Sequence, residues 1–154
     1  MKLTTRGRFA VSAMVDLAIH QQEAPIRIAV IAQRQSLSLA YLEQIFCKLR
    51  RAGLVKSVRG PGGGYELGRE PAHISIADIV DVMDENMDAT QCQGGKACKG
   101  GVECLTHHLW EDLNGVMTAF LKGVTLADMV ERHRRHPHQQ HVSVSDIGHR
   151  HKAH

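Results

Sequence analysis

The sequence predicts a mainly α-helical fold, a winged helix-turn-helix with a small β-hairpin wing and a long C-terminal dimerisation helix. Three successive segments with apolar residues at helical spacing begin the chain. Two short alternating segments joined by a basic, glycine-rich tip follow, and a longer amphipathic segment comes after them. We expect a winged helix-turn-helix domain over 1–85, a loop and dimerisation helix over 86–131, and a disordered tail over 132–154.

The first three helices are predicted by the spacing of their apolar residues and by their boundaries. Residues 8–20 and 28–35 have apolar residues at helical spacing. A third helix is expected over 39–52, after a tight turn in which Ser38 is suited to cap its N-terminus. Gly53 follows as a C-terminal stop. Two helices, a tight turn and a third helix make a helix-turn-helix.

The wing is predicted by alternation on either side of a glycine-rich turn. Residues 54–58 alternate between apolar and polar, and 65–67 resume the alternation. The tip between them reads Arg59-Gly60-Pro61-Gly62-Gly63-Gly64, which must be a turn or loop. A phosphate-cradling nucleotide loop is a weaker interpretation, because no helix follows the glycines and the Lys-Ser/Thr pair of a P-loop is missing.

The C-terminal half supplies three further helices. Ser75-Ile76-Ala77-Asp78 is a capping box that begins a helix reaching about Glu85. The segment 105–122 is amphipathic, and we expect its apolar stripe to pack against a second copy in a homodimer. Residues 125–128 can begin one last short helix. From Arg132 onward the sequence is polar and histidine-rich with little core-forming content, so we expect it to be disordered.

The net charge of +3 hides an asymmetry along the chain. Residues 1–65 carry ten Lys or Arg against three Asp or Glu, whereas residues 66–154 carry nine against thirteen. A basic N-terminal half favours a polyanionic partner such as nucleic acid, although a solvated basic surface has the same composition. No signal peptide or membrane-spanning stretch is evident, so we expect a cytoplasmic protein with no membrane partner. No nucleophile–base pair or substrate-pocket signature indicates an enzyme.

The helix-turn-helix and the wing supply the candidate contacts with double-stranded DNA. The third helix of such a domain enters the major groove, where Gln44 can pair with adenine through two hydrogen bonds. Arg59 at the wing tip is suited to a narrow minor groove. Glu43 repels phosphate but can accept a hydrogen bond from cytosine, so we expect it to discriminate between operators unless it is simply a solvent-facing helix former. The candidate contacts are Ser38, Ala40, Tyr41, Glu43, Gln44, Lys48, Arg50, Arg51, Arg59 and Gly60.

Three of the four cysteines lie in one polar, glycine-rich segment with the pattern C-x5-C-x5-C-x2-H, formed by Cys92, Cys98, Cys104 and His107. Three thiolates and one imidazole are enough for a 2Fe–2S cluster with two ligands on each iron. Zinc accepts the same ligands, but structural zinc sites usually have closely spaced cysteine pairs, which this segment lacks. The spacing therefore favours an iron–sulfur cluster over zinc. Cys47 stands apart, and we expect it to be a small buried apolar residue of the third helix.

Taken together, these residues closely resemble the IscR family, the iron–sulfur cluster regulators of bacteria. The resemblance covers about residues 1–130. The matching segments are Leu3-Thr4, Arg6-Gly7-Arg8, Tyr41-Leu42-Glu43-Gln44, the run 57–65, Asp88-Ala89-Thr90 and the loop through Cys104-Leu105-Thr106-His107. The combination of motifs is highly specific.

The resemblance implies a homodimer with a 2Fe–2S cluster bound by the three loop cysteines and His107. It implies that the cluster-bound form represses the operon for cluster assembly, and that the cluster-free form binds a second class of DNA sites. Glu43 falls at the position that separates these classes, and Ser38, Gln44 and Arg59 fall at family DNA-contact positions. Ala40 departs from the serine common there, and the tail beyond Arg132 also departs from the family pattern.

We expect the cluster to order the loop 92–106, which leads directly into the long helix. Ordering of this loop would then change how the DNA-binding domains of the two subunits meet a pseudo-palindromic operator. Two other functions remain open: a nitric-oxide-sensing regulator of the same family with a 4Fe–4S cluster, and a small iron–sulfur electron-transfer or delivery protein. The basic wing and the recognition helix count against the second, because an electron carrier needs neither.

Overall fold

The computed structural model describes residues 4–21, 24–83 and 105–137. Within them the order of elements is that of a winged helix-turn-helix followed by a long helix. The elements are α1 (Thr5–His20), α2 (Ile28–Arg34), α3 (Leu39–Arg51), β1 (Val55–Val58), β2 (Gly64–Leu67), α4 (Ile76–Val82), α5 (His107–Gly123) and α6 (Leu126–Arg135). The predicted mainly α-helical class, the wing and the long C-terminal helix are thereby confirmed.

The helix ends follow local sequence signals closely. The hydroxyl of Ser38 accepts a hydrogen bond from the backbone N–H of Tyr41, as expected of an N-cap. Ser75 and Asp78 form the predicted capping box of α4. Gly53 ends α3 with a φ of 76°, a backbone conformation that costs glycine little. Local chemistry therefore fixes where these elements begin and end.

The hydrophobic core joins helix α3 to the wing. Met14 and Leu17 of α1 are fully buried with Leu42, Phe46 and Leu49 of α3. The ring of Phe46 also meets Tyr65 of β2 edge to face, with ring centroids 4.9 Å apart. Strands β1 and β2 pair antiparallel with Val55 opposite Leu67 and Val58 opposite Gly64. The wing thus packs against α3, so its stability does not depend on the pairing of its two strands alone.

The chain leaves the predicted pattern at α6. We expect disorder from Arg132, but α6 continues to Arg135, so this expectation is wrong for residues 132–135. A second capping box between Thr125 and Asp128 starts the helix, and the Thr125 hydrogen bonds hold the pKa of Asp128 below its usual range. Arg135 bonds back to Glu131 one turn earlier, and the basic last turn suits the helix dipole. The rest of the tail, from 138 onward, lies outside the described residues.

A buried carboxylate ties α1 to the end of α2. Asp16 is 5% exposed and accepts two hydrogen bonds from Nε of Arg34, one at each oxygen, together with a close contact from Nη2. The side-chain amide of Gln35 donates a further bond of 2.9 Å to Asp16. The hydrogen bonds to Asp16 also raise the pKa of Arg34. This network holds the first helix against the helix-turn-helix, and nothing in the sequence pattern predicted it.

The described helices include none that is long and apolar enough to cross a membrane.

Candidate functional site

Helix α3 presents two different faces. Leu42, Ile45, Phe46 and Leu49 are buried, as their spacing predicts. On the other side Ser38, Ala40, Glu43 and Gln44 are exposed and belong to the first turn and a half of the helix. Tyr41 is half-buried because its ring packs edge to face against Phe9, with centroids 6.0 Å apart. The exposed set is of a size and position that can reach base edges in a major groove.

The basic residues of α3 lie at its other end. Arg50 and Arg51 are exposed in the last turn, and Lys48 is half-buried. Cations at this end are favoured by the helix dipole, and they suit phosphates on either side of a groove. Cys47 is half-buried, so the expectation of a buried small residue is wrong in degree, since Cys47 lies at the edge of the apolar face.

The wing tip is exposed and turns on glycine. Arg59 and Gly60 are both exposed, Gly60 has a φ of 99°, and its carbonyl accepts a hydrogen bond from the N–H of Gly63. The segment just before α2 joins the wing as well, because Ile26 and Tyr65 exchange two backbone hydrogen bonds of 2.9 and 2.7 Å. Arg59 is therefore held on a hairpin whose far strand, β2, is braced by the segment that precedes α2.

Gly64 permits this bracing, and its replacement tests the wing. A Cβ at Gly64 would lie 2.4 Å from the carbonyl oxygen of Ile26, and the φ of 157° is unfavourable for other residues. We expect Gly64→Ala to lower the free energy of unfolding by about 2 kcal/mol and to weaken DNA binding, because the far strand must move away. Thermal unfolding and DNA titration measure both effects.

Gly62→Ala is the matched control for that experiment. Its φ is 74°, but a Cβ there meets nothing within 4 Å, so only the backbone strain remains. If Gly64→Ala costs no more stability than Gly62→Ala, the wing is not braced by Ile26.

The cysteine loop meets the described structure at the start of α5. Cys92, Cys98 and Cys104 lie outside the described residues, as does most of the loop. The fourth predicted ligand, His107, is the first residue of α5 and only 1% exposed, whereas His108 is exposed. The helix start is further held by Trp110, whose indole N–H donates to the hydroxyl of Thr106 at 3.1 Å.

The donor set fits an iron–sulfur cluster. A sheltered imidazole three residues after Cys104 can meet a cluster held by the same loop. Within the described part of the chain no three His, Cys, Asp or Glu side chains converge to hold a metal by themselves. A metal centre that includes His107 would therefore need ligands from outside the described part of the chain.

A carboxylate that sequence reasoning missed stands beside this histidine. Oε1 of Glu111 lies 3.0 Å from Nε2 of His107, and its other oxygen lies 3.5 Å from Nδ1 of His108. Glu111 is one helical turn after His107, so the spacing of four residues was the signal available in the sequence.

Helix α5 exposes a continuous apolar face. Leu109, Trp110, Leu113, Val116 and Phe120 are between 36% and 66% exposed, and His107 is the buried residue of the helix. They recur at the spacing of one helix face, the predicted amphipathic stripe. An exposed apolar face of this length indicates a contact with another protein surface.

Comparison with known proteins gives the same picture. The profile of the Rrf2 family, described as iron-dependent transcriptional regulators, matches residues 3–132. The chain is 53% identical to the HTH-type transcriptional regulator IscR of Aliivibrio salmonicida, over 84% of this chain and 77% of the relative. It is 47% identical to IscR of Citrobacter koseri, over 99% and 90%.

Solved structures of similar regulators share the fold. T. potens IscR is 40% identical, with a TM-score of 0.69 over 86% of this chain and 88% of that one. CymR, the global cysteine regulator of B. subtilis, is 35% identical, with a TM-score of 0.75 over 86% of this chain and 98% of that one.

Proposed function

Since the chain belongs to the Rrf2 family of iron-dependent transcriptional regulators, we propose that this DNA-binding regulator reads the supply of iron–sulfur clusters through a 2Fe–2S cluster of its own. The observation that carries the proposal is His107, a buried imidazole at the junction between the cysteine loop and the long helix. Cys92, Cys98, Cys104 and His107 would hold the cluster. When bound, the cluster would be a group that oxidants, or a shortage of iron or sulfur, can remove.

This proposal assigns a separate role to each part of the chain. Residues 1–85 form the DNA-binding domain, and residues 86–131 carry the cluster loop and the dimerisation helix. His107 begins α5, so any change in the loop reaches a helix that packs directly on α4, the last helix of the DNA-binding domain. The cluster-bound form represses the cluster-assembly operon, and the cluster-free form still binds a second class of DNA sites. The protein acts in the cytoplasm, where the bacterial chromosome lies.

The apolar face of α5 is the proposed dimer contact. Two copies paired through one helix face are related by a two-fold axis, which matches the symmetry of a pseudo-palindromic operator. Each copy then contributes one α3 and one wing to successive turns of DNA. The candidate DNA contacts in each half-site are the ten residues of α3 and the wing named from the sequence.

The metal content tests the cluster directly. We expect anaerobically purified protein to contain two irons per chain, with the Mössbauer and absorption spectra of a 2Fe–2S cluster. Four irons per chain would indicate the nitric-oxide-sensing alternative, and tetrahedral zinc without iron would contradict the proposal altogether.

Glu43 tests the choice between operators. Its carboxylate is exposed on the DNA-facing side of α3, where it opposes phosphate and favours an exposed cytosine amino group. We expect Glu43→Ala to bind sites lacking that cytosine about tenfold more tightly, since a well-placed base contact discriminates by about 1–3 kcal/mol. Competition binding with two operator classes measures the ratio. Equal affinities of the variant and the parent for every site would remove Glu43 from the mechanism.

A further inference from the structure

The first turn of α3 exposes two apolar side chains. Leu39, the first residue of the helix, is 42% exposed, and Ala40 after it is exposed as well. Residues four positions apart lie about 40° apart around an α-helix. These two residues come four positions before Glu43 and Gln44, so all four side chains lie on the DNA-facing side of the helix.

Neither Leu39 nor Ala40 belongs to the buried side of α3. The other large apolar residues of this helix are buried or half-buried and form the side that packs on the core. The helix is capped by Ser38, whose hydroxyl accepts a hydrogen bond of 3.2 Å from the backbone N–H of Tyr41. The side chains of Leu39 and Ala40 consist of carbon and hydrogen alone, so they form no hydrogen bond with a base edge or a phosphate. At this end of the helix they offer apolar surface.

The major groove contains one apolar group that such a surface can recognise, the 5-methyl group of thymine. Alanine and other apolar side chains distinguish thymine by direct contact with this methyl group. The contact removes apolar surface from water on both sides and breaks no hydrogen bond. The amino group of cytosine or the carbonyl oxygen of guanine, placed against the same two side chains, would lose hydration without gaining a partner.

We propose that Leu39 and Ala40 select operators with a thymine at the base pair they meet, by packing against its 5-methyl group. This inference rests on the proposed function, because it requires α3 to enter the major groove. It adds Leu39 to the candidate DNA contacts and gives Ala40 a defined chemical target. Because Ala40 and Gln44 are one helical turn apart, the thymine lies within about two base pairs of the base that Gln44 reads.

Replacing thymine by deoxyuridine tests the contact, because it removes the methyl group and keeps every hydrogen-bonding group of the base. A duplex selected by the anaerobically purified protein from a random-sequence pool supplies the operator. Each thymine of one half-site is then replaced in turn, and the affinity is measured at one fixed salt concentration. We expect the sensitive position to lower the affinity about fourfold, the effect of one buried methyl group.

Two variants assign the methyl contact to these side chains. Leu39→Ala and Ala40→Gly should each bind the unmodified duplex more weakly, and each should respond less than the parent to deoxyuridine at the sensitive position. Ala52→Gly is the matched control. It removes the same methyl group from the exposed residue at the other end of α3, and we expect it to respond to deoxyuridine as the parent does.

The scan of thymines with the parent protein needs no substitution in the chain, so it remains decisive if a variant fails to fold. A parent affinity that no deoxyuridine changes, or a full response retained in both Leu39→Ala and Ala40→Gly, would overturn the inference. If the selection yields no duplex that the parent binds, the proposed function fails instead, so the two failures are distinguishable.

Discussion

Phe120→Asp is expected to convert the protein from a dimer to a monomer and to weaken operator binding about a hundredfold or more. Phe120 is 59% exposed on the apolar face of α5, together with Leu113 and Val116. A carboxylate buried there in a dimer would lose its hydration without gaining a partner. Losing one of two linked DNA-binding domains lowers the overall affinity by about 10²–10⁴-fold. Sedimentation equilibrium and titration of a two-half-site duplex measure the two effects.

Thr118→Asp provides the matched control on the same helix. Thr118 is exposed and lies about 200° around α5 from Phe120, so the same charge is added away from the apolar face. We expect this variant to remain a dimer with parent-like affinity. A dimeric Phe120→Asp protein, or two monomeric variants, would place the dimer contact elsewhere.

Asp16→Ala is expected to lower the free energy of unfolding by about 3 kcal/mol. Breaking a buried, hydrogen-bonded ion pair by removing one partner costs about 3–5 kcal/mol. The lower end applies because Arg34 is 32% exposed and regains some hydration. The urea midpoint measures the change, with Asp81→Ala as the control, since Asp81 is an exposed carboxylate of α4.

Asp16→Asn separates the charge from the shape of that network. It keeps one acceptor oxygen for Arg34 and loses the negative charge, so we expect a loss of stability smaller than that of Asp16→Ala. If Asp16→Ala unfolds at the same urea concentration as Asp81→Ala, the network contributes nothing to the link between α1 and α2.

The elements set by local chemistry could be predicted from the sequence. Ser38, the Ser75–Asp78 capping box and Gly53 act within a few residues, and the structure has each in its predicted role. The apolar stripe of α5 follows from its spacing alone. The histidine-rich composition does not predict that α6 reaches Arg135, because a capping box and an ion pair one turn apart stabilise this helix.

The long-range contacts could not be predicted in the same way. Asp16 and Arg34 are 18 residues apart, and only the packing of α1 on α2 brings them together. The Ile26–Tyr65 pairing that braces the wing joins two segments whose sequences show no shared pattern. At the proposed metal site, the sequence and the family resemblance supplied His107, and the carboxylate beside it appeared only with the helix geometry.

In the proposed function, a bound cluster changes which DNA the protein reads. The most direct measurement is the affinity of the cluster-loaded protein and of Cys92→Ala protein for both operator classes at one fixed salt concentration. If the cluster selects the operator class, Cys92→Ala loses about tenfold or more in affinity for sites selected by the loaded protein and keeps its affinity for the second class. Equal affinities of the two proteins for every site would contradict it.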